Sequence, residues 1–60
     1  MIILRGFEGA EDIFVNEDEI VLAERRATGE TFIVFKTGPT ALVHETPKEI
    51  EDLIRIGWGV

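Results

Sequence analysis

The stretch Thr28-Gly29-Glu30-Thr31-Phe32-Ile33-Val34-Phe35-Lys36-Thr37-Gly38-Pro39-Thr40 decides how this chain is read. Its centre, Thr31 to Phe35, is a run of β-branched and aromatic residues and the strongest strand signal in the sequence. Turn chemistry bounds it on both sides: Thr28-Gly29-Glu30 before it, and Thr37-Gly38-Pro39-Thr40 after it, where Gly and Pro punctuate the chain. The preceding run, Ile20 to Ala27, contains the good helix formers Leu22, Ala23, Glu24 and Arg25. Its β-branched start and its direct passage through Thr28-Gly29-Glu30 into Thr31 make a hairpin the economical reading.

Further upstream, Ile2 to Phe7 is β-rich and ends at Glu8-Gly9-Ala10. Ile13-Phe14-Val15 follows, closed by Asn16-Glu17-Asp18, which gives strand, turn, strand. Downstream, Ala41 to Glu45 forms a fifth short strand. Thr46 then reads as an N-cap, Pro47 as the first helical residue, and Glu49 completes a capping box. Ile50, Leu53 and Ile54 share one helical face, with Lys48, Glu51, Asp52 and Arg55 on the other. Gly57 is placed to end the helix in a left-handed conformation, with Trp58 folding back on the last turn. The expected fold is α+β: one domain, residues 1–60, with a small antiparallel five-strand meander or curled sheet followed by one C-terminal amphipathic helix.

Composition limits what such a domain can do. The chain has 60 residues, 45% of them hydrophobic and 30% charged, which is a globular composition. A domain near this size buries only about 60% of the surface its unfolded chain exposes. It contains no Cys, Ser, Tyr or Gln, and one His. Disulfides, thiolate chemistry and a Ser or Cys nucleophile are therefore excluded. Twelve carboxylates against six Lys and Arg leave a net charge of −6, with half of the carboxylates between Glu8 and Glu19. That balance argues against direct nucleic-acid binding and against anionic membranes. Met1 to Leu4 is too short for a signal or a membrane span, so the default location is cytoplasmic, without membrane insertion.

Alternation along the strands leaves apolar surface unaccounted for. Phe32 and Val34 point one way and Ile33 and Phe35 the other; in the preceding strand Ile20 and Leu22 oppose Val21 and Ala23. One short helix covers only one face. The other either closes on itself in a small barrel or meets another chain. A homo-oligomer is the preferred reading, with Val21, Phe32, Ile33, Val34, Phe35 and Trp58 as interface residues.

No enzyme and no cofactor site is legible. His44, the one side chain whose ordinary pKa lies near neutrality, has no identifiable partner for proton transfer. Asn16 to Glu19 lacks the alternating spacing of a calcium loop, and Gly6 and Gly9 open no helix after a parallel strand. The leading expectation is a non-enzymatic oligomeric module that binds or regulates a protein partner. Two alternatives stand beside it. In one, copies of Arg25, Arg26, Lys36 and His44 converge on an anionic small molecule or nucleotide and sequester it, as some small phage-encoded proteins do. In the other, the acidic stretch Glu8 to Glu19 mimics DNA.

Several of these segments carry a family likeness. The Met-Ile start, a Gly-containing hairpin, Val15-Asn16 before Asp18-Glu19-Ile20, the Phe32-Ile33-Val34-Phe35 strand, and Leu42-Val43-His44-Glu45-Thr46-Pro47-Lys48-Glu49-Ile50 leading into a helix together resemble the FlbD family, also called SwrD. The resemblance covers nearly the whole chain and implies a small non-catalytic protein linked to bacterial flagellar motility. The longer, more acidic first hairpin and the tail Gly57-Trp58-Gly59-Val60 depart from that pattern.

Overall fold

The computed structural model describes the backbone of residues 1–58 and the side chains of residues 1–56. The elements in chain order are β1 (Ile2–Leu4), β2 (Ile13–Val15), a single 3-10 turn (Glu17–Glu19), β3 (Ile20–Arg25), β4 (Thr31–Phe35), β5 (Thr40–Val43) and α1 (Pro47–Trp58). Each strand and the helix overlaps the segment the sequence assigns to it, with β1 ending at Leu4 instead of Phe7 and β5 running over Thr40–Val43 instead of Ala41 to Glu45.

Their assembly differs from a five-strand meander. The strands form two antiparallel sheets, one of β1 and β2 and one in the order β3-β4-β5. The break falls between β2 and β3, and local chemistry accounts for it. The Asn16 Oδ1 accepts the Asp18 N–H at 3.2 Å, and the Glu19 N–H donates to the Asn16 carbonyl at 2.9 Å, which coils the chain into a 3-10 turn. A hairpin turn at that point would have kept β2 and β3 paired. The coil instead sends the chain into the other sheet, where the Glu19 carbonyl accepts from the Lys36 N–H at 2.8 Å.

The two sheets are joined at the opposite side. Gly6 bridges to Val43, and the flanking bonds run from the Phe7 N–H to the Leu42 carbonyl (3.2 Å) and from the His44 N–H to the Arg5 carbonyl (2.9 Å). Glycine is required there: a Cβ on residue 6 would lie 2.4 Å from the carbonyl oxygens of both Ala10 and Glu11. The hairpin loop crosses directly over this junction.

Register settles which side chains face inward. Thr31 pairs with Val43 and Arg25, Ile33 with Ala41 and Ala23, and Ile20 with Phe35. A bulge between Ile20 and Leu22 inserts Val21, so Ile20 and Leu22 do not share a face as strict alternation predicts. Ile20 and Ala23 pack on the core, while Leu22 turns outward opposite Val34. The core comprises Ile2, Leu4, Val15, Ile33, Val43 and Ile50, with Ile13, Phe35, Leu53 and Ile54 at its margin. The helix thus buries the stripe its sequence presents. Its start is the expected reciprocal cap: the Thr46 N–H donates to Glu49 Oε1 at 2.8 Å and the Glu49 N–H to Thr46 Oγ1 at 3.1 Å.

The helix end needs correction. It continues through Gly57 to Trp58 instead of stopping before Gly57. Glycine permits a left-handed turn without forcing one, and keeping it helical costs only about 1 kcal/mol. The Trp58 side chain, named above as an interface residue, lies outside the described residues. No helix among the described residues is long and apolar enough to cross a membrane.

Candidate functional site

The outer face of the β3-β4-β5 sheet is apolar. Cross-strand register places Leu22, Val34 and Thr40 in one row across it, and Glu24, Phe32 and Leu42 in the next. Leu22 and Leu42 are exposed, Val21 at the bulge is 63% exposed, and Phe32 and Val34 are half-buried by their neighbours. Arg26 lies over Phe32, its guanidinium carbon 4.2 Å from the ring centroid, an arrangement that attracts a cation to the face of the ring. Beyond β5 the surface continues. Because Gly6 and Val43 face the core, Phe7 and His44, one residue on, emerge outward, and their rings stack at 4.8 Å with a 50° tilt.

Of the sequence-predicted interface residues, this face brings together Val21, Phe32 and Val34. Ile33 is fully buried at the core and Phe35 is partly buried against it, so both face away from this surface. The four candidate ligand residues do not converge within one chain. Arg26 and His44 share the outer side. Arg25 pairs with buried Thr31 and acts electrostatically on Glu49 at the helix start, which sets it on the other side of the sheet. Lys36 follows the far end of β4, beyond the Ile20–Phe35 pair.

A second exposed apolar face lies on the two-stranded sheet. Ile3 and Phe14 are directly opposite one another, 54% and 73% exposed, and Met1 beside them is 76% exposed. The Met1 ammonium pairs with Glu17 Oε1 at 2.9 Å and holds the Glu17 carboxyl below its usual range.

The sequence reading missed Glu45. At 7% exposure it is the most buried charged residue described, and both its oxygens accept the Arg5 backbone N–H (2.9 and 3.1 Å) while Arg5 Nε donates at 3.2 Å. Forty positions separate the partners. No local pattern announces such a pair; the only hint is a carboxylate continuing the alternation of a strand whose inward positions are apolar. Together with Glu49, Asp52, Leu53 and Ile56 the pair lines an open cleft of about 300 Å³. Its buried carboxylate is committed to Arg5, and the other two carboxylates are engaged as well, Glu49 with the Thr46 N–H and Asp52 with Lys48. No group of three or more metal-ligating side chains is present among the described residues.

Comparison with known proteins finds no family model, no curated protein and no solved structure that matches the chain.

Proposed function

We propose that the protein is a non-enzymatic, self-associating module that acts through protein contacts, with the outer face of β3-β4-β5 as the surface shared between copies. One observation carries this reading: the contiguous exposed apolar surface built by Val21, Leu22, Phe32, Val34 and Leu42. Charge supports it. From Ile20 to His44 there are two carboxylates, Glu24 and Glu30, against three cations, Arg25, Arg26 and Lys36. On a chain of net charge −6, this is the region where two copies approach with least repulsion. Glu24 and Arg26, on the same face, offer complementary rim charges to a copy related by a two-fold axis.

Sedimentation velocity tests it. The chain should sediment as a dimer or larger assembly, and the Leu22→Lys, Leu42→Lys double variant as a folded monomer. A wild-type chain that stays monomeric at high concentration refutes the proposal. The sequence resemblance to the FlbD and SwrD proteins adds the proposal of a role in motility, and loss of swarming on deletion of the gene is its check.

A second reading, an anionic small molecule or nucleotide held between copies, draws support from Arg26 and His44, each set against an aromatic ring on the outer side. Under it, nucleotides raise the melting temperature of the assembled protein; absence of any shift removes it.

A further inference from the structure

We infer that the outer face of the β1-β2 sheet is a separate docking surface, for a basic amphipathic helix of a partner protein. This rests on reading the chain as a protein-binding module, and it assigns that module a partner chemistry. The face has an apolar centre, Ile3 directly opposite Phe14 with Met1 alongside, all more than half exposed. A largely exposed phenylalanine on a strand of three residues has no role in the core, which is supplied by Ile13 and Val15 on the other side of the same strand.

The charge around that centre selects the occupant. Residues 1–19 carry six carboxylates, Glu8, Glu11, Asp12, Glu17, Asp18 and Glu19, against Arg5 and the α-amino group. Both cations are already engaged, Arg5 with Glu45 and the amino group with Glu17. Among the described residues no cation pairs with Glu8, Glu11, Asp12, Asp18 or Glu19. Five carboxylates without a salt-bridge partner thus neighbour the exposed apolar pair in the chain, three in the loop that joins Ile3 to Phe14 and two just after Phe14. A second copy of this acidic chain is repelled there, as is an anionic membrane. A segment with Lys or Arg on both flanks of an apolar stripe gains ion pairs and covers Phe14 at once. Width favours a helix: two strands about 4.8 Å apart make a ribbon close to the 10 Å diameter of a helix with its side chains.

The probe is a synthetic, fluorophore-labelled peptide of Leu and Lys with Leu at i, i+3, i+4 and i+7, titrated with the full chain and followed by anisotropy. Two controls accompany it: a scrambled peptide of the same composition, and an analogue with Glu in place of Lys. The expected result is saturable binding that weakens with added salt and is about tenfold or more tighter than that of the scrambled peptide. Backbone amide shifts should centre on residues 1–4 and 12–16. Phe14→Ser should weaken binding by about tenfold or more, because it removes the largest apolar contact. The Leu22→Lys, Leu42→Lys variant should bind as wild type. Equal binding of the scrambled peptide, shifts centred on the helix cleft, or an unchanged affinity in the Phe14→Ser variant would each overturn the inference. So would dispersal of the oligomer by Phe14→Ser, which would make this face the contact between copies. A monomeric wild-type chain that still binds the peptide at Phe14 would remove the self-association proposal and leave this one standing.

Discussion

Replacing Glu45 with alanine should remove a large share of this domain's stability, and the structure sets the size of the effect. Glu45 is buried, and its carboxylate is the acceptor for the Arg5 backbone N–H, just where β1 ends and the chain turns toward its bridge with β5. Truncation leaves that N–H without its partner, and a hydrogen bond to a charged group contributes about 1.5–3 kcal/mol. The Arg5 side chain adds little, because at 64% exposure it recovers water when the pair is broken; exposed pairs are worth about 0–1 kcal/mol. The expected loss is therefore about 2–3 kcal/mol. Against the roughly 3–9 kcal/mol that a 60-residue domain commands at about 0.05–0.15 kcal/mol per residue, this is about a fifth or more. With a urea slope of about 1 kcal/mol/M, the unfolding midpoint should fall by about 2–3 M, read at fixed protein concentration because the proposed assembly would contribute to stability. Glu45→Gln retains an acceptor for the N–H and should lose about half as much. A Glu45→Ala midpoint within about 0.5 M of wild type would refute the argument that this carboxylate ties the first strand to the helix start.

Three further outcomes are expected. Gly6→Ala drives a Cβ into the Ala10 and Glu11 carbonyls and should cost about 1–3 kcal/mol, read as a fall in melting temperature by circular dichroism. Thr46→Ala removes one half of the reciprocal cap and should lower stability by about 1 kcal/mol, or about 4–8 °C in melting temperature, in the same assay. The Glu17, Glu30 and Glu49 carboxyls are held below their usual range, chiefly by the Met1 ammonium, the Thr28 hydroxyl and the Thr46 N–H respectively. Depressed carboxyls stabilise the fold above the unfolded value of about 4.3 and lose that contribution as pH falls through their lower folded values. The urea midpoint should thus be flat in these groups from neutral pH down to about 5 and decline below about 4.

The elements were legible because each is written locally. Thr31 to Phe35 carries its strand in its side chains and its turns at its ends, and Thr46, Pro47 and Glu49 specify a helix start within four residues. What escaped depends on contacts between distant residues or on a single extra residue. Asn16 caps a 3-10 turn where Asn-Glu-Asp reads equally as a hairpin turn, and that choice divides one sheet into two. Val21 occupies a bulge, which reverses the facing of Leu22 relative to Ile20 although no residue in the run signals it. Ile33 and Phe35 were legible as strand residues facing away from Phe32 and Val34, but which face the core would claim was not; the register with Val43 and Ala23 decides it. Glu45 required knowing that β1 runs beside the end of β5.

The division of charge along the chain bears on why two apolar faces coexist on so small a domain. Hydrophobic attraction has no direction, so two exposed faces on one chain invite indiscriminate association unless something else distinguishes them. Here the distinction is electrostatic. The β3-β4-β5 face sits in a segment with a slight excess of cations, and the Ile3–Phe14 face in one with five unpaired carboxylates. Stacking acidic segment on acidic segment brings like charges together, which opposes the small apolar contact. Under the proposed self-association, copies meet through the balanced face and keep the acidic one outward. The same proposal ties stability to assembly. Only six hydrophobic side chains are buried among the described residues, a core close to the lower limit for independent folding. Burying Leu22, Phe32, Val34 and Leu42 between copies adds the area the monomer lacks, so a charge introduced at Leu22 or Leu42 should lower the melting temperature as well as the assembly state. At Phe14 it should change neither.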